Sequence, residues 1–316
     1  MKKILYSAMC AAGMLALTSC SDYLETSSPS VVDAEFVFST SETSRAAMTG
    51  VYETWRDCAQ NKIFGDGLYY AADVVGSDIE RHPEAFANQP GRHYPEGLYQ
   101  NGTYAGSYGL LSYQKEDDEY AALYSVISQS NAVINAIEST SEYESMITSS
   151  TPSTLSQLYG EAIAMRATAY RELIKYYGDV PYVSGKDTDY DGLVCRDSIY
   201  DVCLAELQKV APLMYRAGSI PGISGKNYFT RTYVEGLIGR MALEAGGYQT
   251  RRGDIKRVDG NGNSLTYETM GTENNGATYG RRSDWATYYN LAKTYFKAVI
   301  DNPGNTKFYT TDPRST

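Results

Sequence analysis

Histidine is nearly absent from this chain: His82 and His93 are the only two in 316 residues. Their spacing matches no helical zinc motif, and no Gly-x-Ser-x-Gly element is present. Cysteine is scarce as well, with five residues. Cys10 lies in an apolar leader and Cys20 has a role of its own, so Cys58, Cys195 and Cys203 remain. That is an odd set for an exported protein, and Cys203 falls on the apolar stripe of an expected helix. A Cys195–Cys203 pairing is geometrically open, but all three are read as small buried thiols rather than a disulfide scaffold. Basic residues are outnumbered, 28 against 38 acidic, for a net charge of −10. Counterion release from a polyanion needs clustered Lys and Arg, so nucleic acid is excluded as a partner.

Phe and Trp are few, 7 and 2, whereas Tyr reaches 30. Phe would supply core volume alone, but a Tyr hydroxyl needs water or a partner when buried. The surplus points to polar-faced aromatic surface. With 42% apolar residues a sizeable core is available, and the length suits one large domain or two ordinary ones.

No apolar run is long enough to span a bilayer. Ile4 to Leu17 follows Lys2 and Lys3 and covers roughly fourteen residues, short of the ~20 a membrane helix needs. It ends in Leu17-Thr18-Ser19-Cys20, which resembles the bacterial lipobox. The resemblance implies a signal peptide over 1–19, cleavage before Cys20, and acylation of that thiol with lipid chains such as palmitate. Several chains matter, because one alone binds membrane only reversibly. Residues 20–38, with Thr26-Ser27-Ser28-Pro29-Ser30, read as a polar tether. Loss of Lys2 and Lys3 deepens the charge to −12.

Six segments carry helical periodicity, and no convincing alternating strand appears. The first follows a capping box, Ser39 with Glu42, and places Ala47, Val51 and Trp55 on a stripe. The others run from about Asp117 to Ile137, Leu155 to Tyr177, Asp197 to Val210, Phe229 to Ala245 and Asp284 to Ile300. Gly178 stops the third. Two long gaps remain. Residues 60–116 are rich in Tyr, Gly and Asn and are read as an ordered excursion over the helices; residues 248–282, Gly/Asn-rich at Asp259 to Asn263, are read as a surface loop.

The third helix reads Glu161-Ala162-x-x-x-Arg166-Ala167-x-Ala169-Tyr170-x-x-Leu173-x-Lys175-Tyr176-Tyr177-Gly178-Asp179-Val180-Pro181. This resembles the central signature of SusD/RagB-type lipoproteins. Gly50-Val51-Tyr52, Ile127-x-x-x-Asn131-x-x-Ile134, Arg196-x-Ser198-x-Tyr200 and Arg240-x-Ala242-Leu243 fit the same template. The resemblance implies an all-α fold of TPR-like helix pairs with long irregular loop excursions over 39–316. It further implies a cell outer membrane location facing the exterior, docking to a SusC-like TonB-dependent transporter, and capture of glycans or peptides without catalysis or cofactor. Family members are usually longer, so the chain is expected to lack the family's C-terminal half. A lipid-anchored glycosidase and a TPR-like scaffold with protein partners only are the competing readings.

Residues of the motif have physical roles independent of the family. Arg166 lies in an apolar stripe, so a buried carboxylate partner is expected, with Glu161 and Asp179 as candidates; Tyr170, Gly178, Asp179 and Pro181 form the structural turn. Sugar recognition needs flat aromatic faces beside polar groups. The first gap supplies them, and Tyr69, Tyr70, Asp73, Asp78, Tyr94, Tyr99, Asn101 and Tyr104 are the ligand-binding candidates. Asp187-x-Asp189-x-Asp191-Gly192 resembles half of a calcium loop, but Ser198 stands where the bidentate Glu belongs. It is read as an acidic turn. Glu116-Asp117-Asp118-Glu119 is read as helix N-terminal charge rather than a glycosidase pair.

Overall fold

The structure, a computed structural model, describes residues 41–64, 69, 115–185, 192–223, 227–307 and 309–311. Helix α1, Ser41–Cys58, buries Ser44, Met48, Val51 and Cys58 at the three- and four-residue spacing of one helical face. Tyr52 and Trp55 pack along its edge, and Ser39 of the expected capping box lies outside the described residues. A single π turn, Ala59–Ile63, extends α1, closed by Phe64 N donating to Ala59 O at 2.8 Å.

Helix α2, Lys115–Glu138, opens on the acidic run and buries Leu123, Ile127, Ile134 and Ile137. A short helix α3, Tyr143–Ile147, links it to α4, Thr154–Tyr177. Ser153 and Ser156 exchange reciprocal caps there, at 3.1 and 2.8 Å, satisfying amides that the first helical turn cannot. Helix α4 is buried on nearly all sides because α1, α2, α5 and α6 surround it. Helix α5, Arg196–Val210, continues into a 3-10 turn, Ala211–Leu213; α6, Arg231–Ala245, pairs closely with α7, Trp285–Asp301. At that contact a Cβ on Gly239 would stand 2.7 Å from the Phe296 ring, so the ring packs directly on the bare glycine and would have to shift for any side chain. The architecture is all-α and TPR-like, as expected. Among the described residues, no helix is long and apolar enough to cross a membrane.

The gap read as a surface loop instead holds a small antiparallel sheet: β1 Gln249–Arg251, β2 Tyr267–Thr272 and β3 Thr278–Arg282, in the order β1-β3-β2. No periodicity announced it. Strand β2 is exposed at every position but its first, and β3 turns Thr278, Gly280 and Arg282 inward rather than apolar residues. Ion pairs anchor the sheet where hydrophobic burial does not. Arg251 Nε and Nη2 donate to Asp197 at 2.6 and 2.8 Å, and Arg282 reaches Asp201 and Asp284 at 2.7 and 2.9 Å. Asp197 and Asp201 lie four residues apart on α5, hence on one face. The Asp259–Asn263 stretch is a polar turn in which Asp259 accepts from the amides of Asn261 and Asn263.

The turn after α4 is a strapped segment. Gly178 has φ +77°, a conformation that favours glycine, and the Arg196 guanidinium packs into the space a Cβ would take. Asp179 accepts from Arg196 N at 2.8 Å, Pro181 O from Tyr124 OH at 2.6 Å, and Val183 N donates to Tyr170 OH at 2.6 Å. Arg166 does not pair with Glu161 or Asp179. It binds Glu206 of α5 at 2.7 Å and Asn131 of α2 at 2.6 Å. The reason is helix geometry: five residues of helix turn the side chain by roughly 140°, so Glu161 faces α1, where Arg45 takes it at 2.6 Å.

Candidate functional site

Cys58, Cys195 and Cys203 are free and buried. Burial pushes the Cys58 thiol up to about 12 and the Cys203 thiol higher still, which keeps both as unreactive packing groups. Among the described residues, no group of three or more His, Cys, Asp or Glu side chains is placed to hold a metal. Asp187, Asp189 and Asp191 lie outside the described residues, as do Cys20, Tyr70, Asp73, Asp78, Tyr94, Tyr99, Asn101 and Tyr104. Of the expected binding residues only Tyr69 is described, 42% exposed, with its ring 5.9 Å from Phe64.

Phe64 leads to a groove that periodicity did not reveal. A cleft of about 600 Å³ lies between α1 and the segment before α6, walled by Tyr52, Trp55, Phe64 and Tyr228, with Glu53 and Asn227 among its polar groups. Its volume falls in the range of small-ligand pockets. Tyr52 sets the floor. Its ring meets Tyr228 edge-on at 5.4 Å and Phe229 at 5.5 Å, while its hydroxyl accepts from Phe229 N at 2.7 Å.

Beneath the groove is a buried polar knot. Glu161 receives Arg45 at 2.6 Å and Gln157 at 2.8 Å; Gln157 also donates to Phe229 O at 2.8 Å and accepts from Tyr215 N at 2.9 Å. Burial pushes the Glu161 carboxyl up, while Arg45, Gln157 and Tyr52 pull it the other way. Burial and the neighbouring Glu161 drive the Tyr52 hydroxyl well above its ordinary value, so it remains a neutral hydrogen-bonding group. Arg45 lies 4.7 Å over the Tyr228 ring, fixing that face from behind. The rings are therefore held from below and half open above, which suits a ligand with an apolar face and polar edges. The signal in the sequence was faint: Tyr52 and Tyr228 lie 176 positions apart, and only Trp55 belonged to an expected stripe.

The fold defines the protein's class first: a mainly helical, TPR-like protein carrying an aromatic groove. Residues 80–210 match a SusD-like family model described as "Starch-binding associating with outer membrane". Solved structures of similar fold include a SusD homologue of Bacteroides thetaiotaomicron, with TM-score 0.55 and 14% identity over 87% of this chain and 43% of that one. NanU of B. fragilis gives TM-score 0.55 and 17% identity over 89% and 45%. A structure with xylogluco-oligosaccharide gives TM-score 0.50 and 18% identity over 84% and 41%. Residues 80–210 are thus similar to the SusD-like family, and the described residues share the fold of SusD homologues. It spans less than half the length of these relatives. No curated protein matches it.

Proposed function

We propose that the protein is a surface-exposed outer-membrane lipoprotein that binds glycans and passes them to a SusC-like TonB-dependent transporter, without catalysing a reaction. The observation that carries this reading is the aromatic groove beside the end of α1, with the Tyr69 ring next to Phe64 in its wall. The description of the matched family as starch-binding and outer-membrane-associated supports it, as does the xylogluco-oligosaccharide in one structural relative. Tyr69, Tyr70, Tyr94, Tyr99 and Tyr104 would extend the groove's aromatic surface, with Asp73, Asp78 and Asn101 addressing hydroxyls. Acylated Cys20 would hold the protein at the bilayer.

Calorimetry with malto- and xylogluco-oligosaccharides tests the groove. Trp55→Ala is expected to weaken binding about tenfold or more, the usual scale for truncating a large aromatic contact. Equal affinity in the variant would remove the groove from the site, and peptide binding in place of saccharide would redirect the ligand class. Anchoring has a separate readout. Cys20→Ala is expected to move the protein from the membrane fraction to the soluble one; a variant that stays with the membrane would defeat the lipid anchor.

A further inference from the structure

A second aromatic surface lies where the C-terminal end of α4 meets β1. The cleft between α4 and β1 holds about 530 Å³ and is walled by Lys175, Arg196, Tyr200, Glu244, Tyr248 and Gln249. At its rim Tyr248 is 40% exposed, and beside it Tyr279 is 46% exposed. Strand alternation explains Tyr279: its neighbours Thr278 and Gly280 turn inward, so its ring must turn out. The two ring centroids stand 5.9 Å apart with planes 32° from one another, which leaves a gently angled aromatic surface.

That surface is braced. Arg281 lies 5.1 Å over the Tyr248 ring and 3.9 Å over Trp285. Glu268 holds Arg281 at 2.7 Å and accepts from Trp285 Nε1 at 3.2 Å. Singly exposed aromatics are ordinary on proteins, whereas adjoining rings fixed by an ion pair are pre-organised for contact. The cleft wall adds both kinds of hydrogen-bonding group. Glu244 presents a carboxylate oriented by Arg171 at 2.9 Å, and Arg196 Nη1 and Gln249 Oε1 meet at 3.2 Å. Alternating donors and acceptors beside flat rings match a sugar, whose hydroxyls do both and whose C–H face is apolar.

We propose that this cleft and the Tyr248–Tyr279 pair form a second saccharide subsite, joined through Tyr69 to the first groove. The inference rests on the saccharide reading above and adds that the ligand is an extended chain. Lys175 makes the connection: it walls the cleft and lies 5.6 Å from the centre of the Tyr69 ring, and that ring is 5.9 Å from Phe64 of the first groove.

The test uses the full chain on a microarray of malto- and xylogluco-oligosaccharides graded in length. Tyr248→Ala with Tyr279→Ala is expected to keep the affinity for short chains and to lose about tenfold on the long ones. Tyr248→Phe with Tyr279→Phe should retain the long-chain affinity, since the rings remain. Both tyrosines are exposed, so an unchanged melting midpoint checks folding. Long chains bound equally by the alanine pair would overturn the second subsite alone, most clearly if Trp55→Ala still weakened all lengths. No saccharide bound by the unaltered chain would overturn both readings.

Discussion

Asp197→Asn is expected to lower the unfolding free energy by about 3–5 kcal/mol, the cost of removing one partner from a buried ion pair. Both side chains of the pair are out of solvent, Asp197 at 0% and Arg251 at 1% exposure. Arg251 also donates to Gly280 O at 2.7 Å, and Tyr267 OH to Asp197 at 2.8 Å, so one carboxylate ties β1, β2 and β3 to α5. The amide would leave a buried guanidinium without its charge partner. Chemical denaturation reads the effect as a shifted midpoint. A variant with the midpoint of the unaltered chain would show that the sheet is held by something else.

The same group predicts an acid limb. Burial would raise the Asp197 carboxyl, but the Arg251 hydrogen bonds and charge, helped by Tyr267, hold it below the ordinary carboxylate value. A depressed folded value stabilises the protein above the unfolded pKa of about 3.9, and that contribution disappears as pH falls through the folded value. Asp197→Asn should therefore flatten the loss of stability below about pH 4 as well as lower the neutral-pH plateau. The companion double change, Asp197→Leu with Arg251→Met, should recover part of the loss, because a buried pair replaced by apolar groups leaves no stranded charge.

Arg166→Ala is expected to cost about 2–3 kcal/mol. Its side chain is 4% exposed and joins α2 to α5 through Asn131 and Glu206. Glu206 is 30% exposed and can turn to water, so the penalty falls below that for Asp197. Asn131 is the greater loss. It accepts from Arg166 while donating to Val183 O at 3.0 Å, so the strap over 178–185 should loosen with it. Hydrogen exchange should quicken in that strap. Arg166→Lys should not restore it, since one ammonium lacks the guanidinium fork that reaches both partners. Undisturbed exchange in the alanine variant would count against the linkage.

The helices were legible because their signal is local. Leu123, Ile127, Ile134 and Ile137, or Leu158, Ala162, Ala169 and Leu173, repeat within a few turns, and burial of these stripes follows from that spacing. The stop at Gly178 was equally local, a positive φ that glycine adopts without strain. The partner of Arg166 was not. A charge in an apolar stripe announces that a counter-charge exists, but Glu206 is selected by how α5 packs on α4. The sheet escaped for a different reason. Its inward side chains are Arg251, Thr278 and Arg282, so no alternation of apolar and polar residues marks the strands.

By itself, then, the sequence determined the helical segments, their ends, the scarcity of cationic surface and the need for a partner at Arg166. Each follows from residue chemistry read over a few neighbours. Only the tertiary structure decided which groups meet across long separations: Arg251 with Asp197, Arg166 with Glu206, and Tyr52 with Tyr228. Those pairings depend on the angles at which α1, α4, α5 and α6 pack. Packing angles are set jointly by many buried side chains, and no short stretch of the chain encodes them.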